Sequence, residues 1–307
     1  MTQVFKVSVI VPVYNPGALW LQWLDAVSKQ GIALENVIII DSSSSDGCVE
    51  KANLHGFKVI SISQDEFDHG GTRQFALDHI GDADIVVYLT QDAILEDIDS
   101  IKNLVDAFED ERVAVACGRQ LPNKKANPIE AHARLFNYPE SSHVYSLSDR
   151  EEFGLKVAFN SNSFSAYRVS ALKEAGGFKS KVIFGEDMLA AAELLKNNYK
   201  IAYRHSACVS HSHAYSLKQE FQRYFDMGVM HDTQKWLLAE LGKPTGEGFR
   251  FVRSEISYLM KHSPLRIPEA LIRTLIKFIG YRAGLMHARL PLTLKSMFSM
   301  NKKYWDR

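Results

Sequence analysis

The segments VSVIVPVYNPG, residues 7–17, and VIIIDSSSSDG, residues 37–47, are β-branched runs that end in turn-forming residues. β-branched residues favour strands, whereas Pro, Gly, Asn, Asp and Ser favour turns. Each segment therefore predicts a buried strand with a polar loop at its carboxyl end. The stretch between them has helical periodicity, which gives the strand–helix–strand order of a parallel sheet.

This alternation continues to about residue 120 and predicts an α/β fold with a mostly parallel, doubly wound, Rossmann-like sheet. The predicted strands are Val7 to Val13, Val37 to Ile40, Lys58 to Ile62, Ile85 to Leu89 and Val113 to Cys117, and the predicted helices are Leu19 to Ser28, Asp46 to Asn53, Thr72 to His79 and Ile101 to Phe108. In such sheets ligands bind outside the carboxyl ends of the strands.

The remainder of the chain has a less regular pattern. Residues 119–160 contain three prolines and predict a long connecting loop, a kind of segment that often binds ligands. A strand at Phe164 to Val169, a helix at Glu186 to Asn197 and a strand at Ile201 to Val209 follow. Beyond Tyr215 the pattern is helical, with predicted breaks at 242–248, Pro264, Pro268 and Pro291.

Composition and charge narrow the class of protein. The 307 residues are 46% hydrophobic and 23% charged, which is typical of globular proteins and disfavours disorder. Three separated cysteines indicate neither a disulfide framework nor a thiolate zinc site, which favours the cytosol. We expect no signal peptide and no membrane-spanning run. Residues 214–307 carry 16 Lys and Arg against 8 Asp and Glu, so a basic C-terminal region follows an acidic body.

Carboxylates and amides occur where predicted strands end. Asn15 follows the first strand and Asp41 the second. A carboxylate in the position of Asp41 can accept a hydrogen bond from the imide N–H of a uracil or thymine ring. Asp41 and Asp46 could equally cap turns and the next helix. Asp92 follows the fourth strand and suits Mg²⁺ or Mn²⁺ on a diphosphate, although a helix cap is the alternative.

Taken in order, these motifs resemble those of the family 2 glycosyltransferases with a GT-A fold, over about residues 5 to 215. The resemblance rests on Pro12-x-Tyr14-Asn15, the Asp41 loop, the carboxylate after the fourth strand and the later Glu186-Asp187 pair. It implies a catalytic domain over 1–213, with a nucleotide-binding half (1–120) and an acceptor half (121–213), followed by a basic helical region (214–307). The donor-binding residues it implies are Pro12, Tyr14, Asn15, Asp41, Ser43, His69, Gly71, Arg73 and Gln91.

Metal binding is the next implication of the resemblance. Members usually carry Asp-x-Asp where this chain has Gln91-Asp92-Ala93, so Asp92 alone carries over as a ligand of Mg²⁺ or Mn²⁺. Many GT-A enzymes hold a His after the last strand of the domain. His211 and His213 occupy that place, and either could reach the metal; an isolated surface pair is the alternative.

A narrower likeness concerns the donor sugar. FDHGGTR at 67–73 and LTQDA at 89–93 look like bacterial rhamnosyltransferases of O-antigen and capsule assembly, which implies dTDP-L-rhamnose as donor. Gly71 at a helix start and Arg73 could bind its diphosphate, or form a glycine turn with an exposed Arg. His69 could bind sugar hydroxyls or cap the turn.

The Glu186-Asp187 pair opens a predicted helix. In the family such an Asp is the usual base, so Asp187 is expected to deprotonate the acceptor hydroxyl in a single inverting displacement, with Glu186 orienting a hydroxyl or raising the pKa of the base. Alternatively, both carboxylates could simply stabilise the N-terminus of the helix through its dipole. Asn160 and Asn162 could bind acceptor hydroxyls or form a turn.

Residues 268–307 mix large apolar residues with Lys and Arg, which is typical of helices at anionic membrane surfaces. Packing on the catalytic body or on a second copy, as a homo-oligomer, is the alternative. No nucleic-acid module is recognised.

Taken together, the sequence predicts an inverting rhamnosyltransferase on the inner face of the plasma membrane. Its partners are dTDP-L-rhamnose and a polyprenyl-diphosphate-linked saccharide of O-antigen or capsule assembly. The alternatives are another donor, such as a UDP-hexose, or a non-catalytic nucleotide-sugar-binding membrane scaffold.

Overall fold

A computed structural model describes residues 4–242 and 246–306 of the chain. Its centre is one nine-stranded sheet. The strands are β1 (Val7–Val13), β2 (Val37–Asp41), β3 (Lys58–Ser61), β4 (Ile85–Leu89), β5 (Ile94–Leu95), β6 (Val113–Leu121), β7 (His143–Tyr145), β8 (Phe164–Arg168) and β9 (Lys200–Ser210).

The order across the sheet is β3-β2-β1-β4-β8-β6-β9-β5, and β7 also pairs with β9. Strands β1 to β4, β6 and β9 run in one direction, whereas β5, β7 and β8 run in the other. The sheet is therefore mixed but mostly parallel, and the α/β prediction is confirmed. Strands β2 and β3 lie on one side of β1 and β4 lies on the other, so the strand order reverses at β1. The carboxyl ends of β1, β2 and β4 therefore form the expected ligand crevice.

Helices cover both faces of the sheet. They are α1 (Trp20–Ser28), α2 (Cys48–Leu54), α3 (His69–Leu77), α4 (Ser100–Val105), α5 (Pro128–Asn137), α6 (Arg150–Phe153), α7 (Val169–Glu174), α8 (Glu186–Lys196), α9 (Leu217–Thr233), α10 (Lys235–Leu241), α11 (Glu247–His262), α12 (Ile267–Leu285) and α13 (Leu292–Phe298). Successive residues of a strand point to opposite faces, so Ile10 and Ile38 join one core cluster whereas Val9 and Ile39 join the other. Burial on both faces explains why these strands are continuous apolar runs.

The predicted loop over 119–160 is wrong, because this stretch contains the end of β6, helix α5, strand β7 and helix α6. Strand β6 continues to Leu121, and helix α5 follows it. Asn127 caps α5, because its side-chain oxygen accepts hydrogen bonds from the backbone N–H groups of Ile129 (3.0 Å) and Glu130 (3.1 Å), and Pro128 occupies the first helical turn. An Asn-Pro pair before an amphipathic stretch is a helix-start signal, so proline marks a beginning here rather than a break.

The C-terminal region is helical, as predicted. Helices α9 and α12 pack closely through glycines: a Cβ on Gly280 would lie 2.5 Å from the Phe221 carbonyl oxygen, and one on Gly284 would lie 2.1 Å from that of Phe225. Pro268 does not break the pattern, because it lies in the first turn of α12. Part of the predicted break over 242–248, residues 243–245, lies outside the described residues. Within the described ranges, no helix combines the length and apolar character needed to cross a bilayer.

Candidate active site

The loops after β1 and β2 are joined by hydrogen bonds. The Asn15 side-chain oxygen accepts from the Ser45 backbone N–H at 2.8 Å, and an Asp46 carboxylate oxygen accepts from the Gly17 N–H at 3.0 Å. Asn15 and Ser43 have left-handed backbones, with φ of 44° and 61°. Such conformations in residues other than glycine cluster at functional sites. Asp41 is buried and accepts from the Ser44 N–H at 3.2 Å, so it supports this loop.

Gln91 connects the β4 loop to the β1 loop. Its side-chain oxygen accepts from the Tyr14 backbone N–H at 2.7 Å, and its amide group donates to the Tyr14 carbonyl at 3.1 Å. Both ends of the amide therefore bind main chain. The Tyr14 side chain is exposed beside it, and Pro12 lies half-buried in β1. Donor contacts by these residues and by Asp41 stay predictions.

A metal-binding group lies next to this crevice. The Asp92 carboxylate oxygens are 3.5 Å from His211 Nε2 and 3.7 Å from His213 Nε2. One potential ligand atom from each residue lies within 4.8 Å of the others. Three side chains predicted separately are thus brought together. The two imidazoles suit Mn²⁺ or a similar transition metal better than Mg²⁺, which prefers oxygen ligands.

The orientation of His211 is fixed from behind by Gln120. His211 Nδ1 lies 2.9 Å from Gln120 Oε1, and Arg134 Nη1 donates to that same oxygen at 2.7 Å. Because an amide oxygen only accepts, Nδ1 carries a proton and Nε2 is the nitrogen that faces Asp92. Such outer partners orient metal-binding histidines.

The charges of this group also fit a cation. Burial raises the pKa of Asp92, but the hydrogen bond and charge of His211 outweigh burial and hold that pKa below its usual value. Burial, followed by the neighbouring His211, lowers the pKa of His213 to about 4. At neutral pH the group therefore offers a carboxylate and a neutral His213 imidazole, which are the forms that bind metals.

Asp187 lies in the first turn of α8, at the start set by the left-handed Gly185. Its carboxylate accepts backbone hydrogen bonds from Met188 (2.8 Å) and Asn162 (3.2 Å). Burial, and then the charge of Glu186, raise the pKa of Asp187 to about 6. A carboxylate with that pKa is ionised near neutral pH and is a stronger base than an ordinary Asp.

Glu186, the neighbour of the base, is held in a buried ion pair. Its Oε1 forms a buried ion pair with Arg73 Nη1 at 2.9 Å, and Arg73 Nη1 also donates to the His69 carbonyl at 2.8 Å. Both side chains are at most 10% exposed. Arg73 is thus not the exposed Arg of the alternative interpretation, and its charge is already balanced inside the protein. Contact of Arg73 with a diphosphate stays a prediction.

The start of α3 is covered rather than open. Asp68 caps it by accepting from the Gly71 N–H at 2.8 Å, and a Cβ on Gly70 would lie 1.9 Å from the Lys179 carbonyl oxygen. The two glycines therefore allow the segment before α8 to approach α3, and a carboxylate already occupies the helix start. His69 is exposed, with its ring 5.1 Å from that of Phe67. Donor binding by Gly71 and His69 stays a prediction.

Asn160 and Asn162 are buried, and their side chains point into the protein. Asn162 Oδ1 accepts from Ser165 Oγ (2.8 Å) and from the Tyr167 hydroxyl (2.7 Å), and Asn160 also bonds that hydroxyl. The contact of Asn162 with the site is its backbone N–H on Asp187. Direct binding of acceptor hydroxyls by these buried side chains stays a prediction.

A continuous set of contacts links the metal-binding group to Asp187. His211 contacts Gln120, Gln120 Nε2 donates to Ser161 Oγ at 3.0 Å, and the next residue, Asn162, donates to Asp187. Sequence reasoning missed Gln120 because it ended β6 at Cys117. The available signal was Gln120 itself, a polar residue in the continuation of an apolar strand, where alternate side chains point to the same face of the sheet.

Comparison with known proteins agrees with this geometry. The model of the glycosyl transferase family 2 matches residues 8–176. The chain belongs to this family. An O-antigen chain rhamnosyltransferase, RfbN of Salmonella typhimurium, is 48% identical over 302 residues, 98% of this chain and 96% of the relative. WbaN of Salmonella anatum, with the same description, is 47% identical over 300 residues, 97% and 95% of the two chains.

Solved structures of low identity share the fold of this family 2 glycosyltransferase. The mannosyltransferase PcManGT of Pyrobaculum calidifontis, in complex with GDP-Man and Mn²⁺, aligns with a TM-score of 0.59 at 18% identity, over 99% of this chain and 86% of its own. Staphylococcus aureus TarS 1–349 aligns with a TM-score of 0.53 at 15% identity, over 92% and 91%. The predicted GT-A fold and glycosyltransferase class are confirmed.

Proposed function

We propose that this glycosyltransferase transfers L-rhamnose from dTDP-L-rhamnose to a hydroxyl of a polyprenyl-diphosphate-linked saccharide during O-antigen synthesis. Support for the sugar and the process comes from the two O-antigen chain rhamnosyltransferases that resemble it over nearly the full length of both chains. We further propose that it acts as a peripheral protein on the inner face of the plasma membrane, where both substrates would meet.

The observation that carries the chemistry is the connection between the Asp92–His211–His213 group and Asp187. In the proposed step an acceptor oxygen attacks the anomeric carbon on the face opposite the nucleotide. The bond from that carbon to the diphosphate oxygen breaks, the diphosphate leaves with the electron pair, and Asp187 takes the acceptor proton. One displacement inverts the anomeric centre.

Asp92, His211 and His213 would hold the metal ion, which when bound would stabilise negative charge on the departing diphosphate. The remaining roles belong to the protein. The hydrogen-bonded β1 and β2 loops would position the nucleotide, with Asp41 and Tyr14 nearest its base, and the Asn162 N–H would orient Asp187.

Calorimetric titration tests the donor. We expect dTDP-L-rhamnose and dTDP to bind wild-type protein with Mn²⁺ more tightly than UDP-glucose does, and we expect His211→Ala to lose the metal-dependent part of the affinity. His55→Ala changes an exposed histidine at the end of α2 and is the matched control. Preference for the uridine ligand would exclude the proposed donor, and equal affinity with EDTA would exclude the proposed metal role.

A further inference from the structure

Helix α12 has cationic residues on the side that faces the protein and apolar residues on the exposed side, the reverse of the usual amphipathic surface helix. Its cations Arg273 and Lys277 point inward, where Arg273 Nη1 lies 3.2 Å and Lys277 Nζ 3.7 Å from Glu220 Oε1 on α9. This differs from the sequence-based picture in which both would reach lipid headgroups. Only 16% of each of the two cationic side chains is exposed.

The opposite side of α12 is apolar and exposed. Leu271, Ile272, Leu275, Phe278 and Ile279 are 47–61% exposed. Their spacing of one, four, seven and eight residues puts them on one face at about 3.6 residues per turn. We call this set the outward face. Arg282 and Met286 continue it, and both are exposed. A contiguous apolar patch of this kind marks an interaction site.

Charge indicates what covers the outward face. Residues 256–305 contain nine Lys or Arg and a single acidic residue, Glu269, which is paired with Arg273 at 2.8 Å. The exposed cations Arg282 and Arg289 therefore have no acidic neighbour in the nearby sequence. A twofold dimer would place the same basic surface against itself. An anionic bilayer complements both the charge and the apolar side chains.

The inward side of helix α12 lies close to the active site. Arg273 Nη1 donates to the Tyr215 carbonyl at 2.9 Å, and the Tyr215 ring lies 5.3 Å from that of His213. Two contacts therefore separate the metal-binding group from α12. Because the glycine contacts pack α12 closely against α9, a bilayer on its outward face would lie near the site, separated from it by the helix itself.

We infer that the outward face of α12 docks on an anionic lipid bilayer and holds the active site next to lipid-linked acceptors. The reason for docking, access to lipid-linked acceptors, rests on the proposed function. The physical basis of the inference is the exposed apolar face of α12 opposite its buried cations. Apolar side chains would enter the interface while Arg282 and Arg289 contact phosphate headgroups.

Vesicle flotation of the full chain tests this inference. Vesicles are phosphatidylcholine alone, or equal parts of phosphatidylcholine and phosphatidylglycerol. We expect wild type to float with the anionic vesicles, less at high salt, and Leu275→Gln/Phe278→Gln to lower the partition coefficient at least about tenfold, since two apolar side chains no longer transfer. Leu54→Gln, an exposed apolar residue on α2, is the matched control and should float like wild type.

Unchanged flotation of the double variant, or no flotation of wild type, would overturn the inference. If wild type instead forms a dimer that the double variant dissolves, the outward face binds a second copy and the lipid inference is wrong. Binding of dTDP-L-rhamnose is measured in parallel on all variants. Donor binding without flotation removes the docking inference alone, whereas flotation without donor binding removes the proposed function alone.

Discussion

Gln120 Oε1 lies 2.9 Å from Nδ1 of His211 and thereby sets which nitrogen of that imidazole faces Asp92. We expect Gln120→Ala to weaken Mn²⁺ binding about 10–100-fold, because the ring loses its orienting partner. Titration with Mn²⁺ measures this. The control is Gln30→Ala, a buried glutamine that bonds main chain next to α4 and should leave Mn²⁺ affinity unchanged. Equal affinity of Gln120→Ala and wild type would show that the contact does not tune the site.

Removing one partner of the buried Arg73–Glu186 pair should strongly lower the free energy of unfolding. Glu186→Ala leaves a guanidinium buried without its counter-charge, so we expect a loss of about 3–5 kcal/mol in the free energy of unfolding. Arg73→Met/Glu186→Leu should cost less than the sum of the single changes. Urea unfolding measures both. Asp25→Ala breaks the exposed pair with Lys29 and should cost about 0–1 kcal/mol. Additive single and double changes would mean that the pair is not coupled.

The raised pKa of Asp187 predicts the pH dependence of transfer. As a base, Asp187 must be ionised, so kcat should rise with pH, reach half its maximum near the pKa of about 6, and level off about one pH unit above it. Asp187→Asn should lower kcat about 10²–10⁴-fold and remove that rise. Rates are measured at saturating Mn²⁺, with Asp25→Asn as the control. A variant that keeps near-normal transfer while folded would show that another group accepts the proton.

Gly70 is required by close main-chain packing. A Cβ there would lie 1.9 Å from the Lys179 carbonyl oxygen, so Gly70→Ala should separate α3 from the segment before α8 and lower the melting temperature. Gly248→Ala in helix α11 is the control, because a Cβ at that position would meet nothing within 4 Å. Alanine favours a helix by about 1 kcal/mol over glycine, so the control should melt slightly higher. The reverse order of melting temperatures would contradict this packing.

Local patterns were sufficient to predict seven strands of the sheet, all except β5 and β7, and part of the site. The apolar runs of β1, β2 and β4 fix their strands, and Asp92 could be placed because it follows one of them. Longer-range packing was not visible in the sequence. Arg73 points into the protein because α8 places Glu186 beside it, which the local sequence does not show. The cap of α3 by Asp68 was missed because the adjacent glycines favoured an open anion-binding helix start instead.

The orientation of helix α12 is another feature that depends on long-range packing and could not be predicted from the local sequence. Its periodicity separates a cationic stripe from an apolar one, but periodicity does not say which stripe faces inward. That choice depends on Glu220, about fifty residues away on α9, which neutralises Arg273 and Lys277 inside the protein. The contact of Gln120 with His211 likewise spans a sequence separation of 91 residues.

The most direct test of the account is a transfer reaction with dTDP-L-rhamnose and a polyprenyl-diphosphate-linked saccharide, in which released dTDP and the extracted lipid are both measured. We predict that wild type with Mn²⁺ releases one dTDP for each rhamnose found on the lipid, and that Asp92→Ala and Asp187→Asn, while remaining folded, do both at least about 100-fold more slowly. Transfer of another sugar in preference to rhamnose, or undiminished transfer by either variant, would contradict the account.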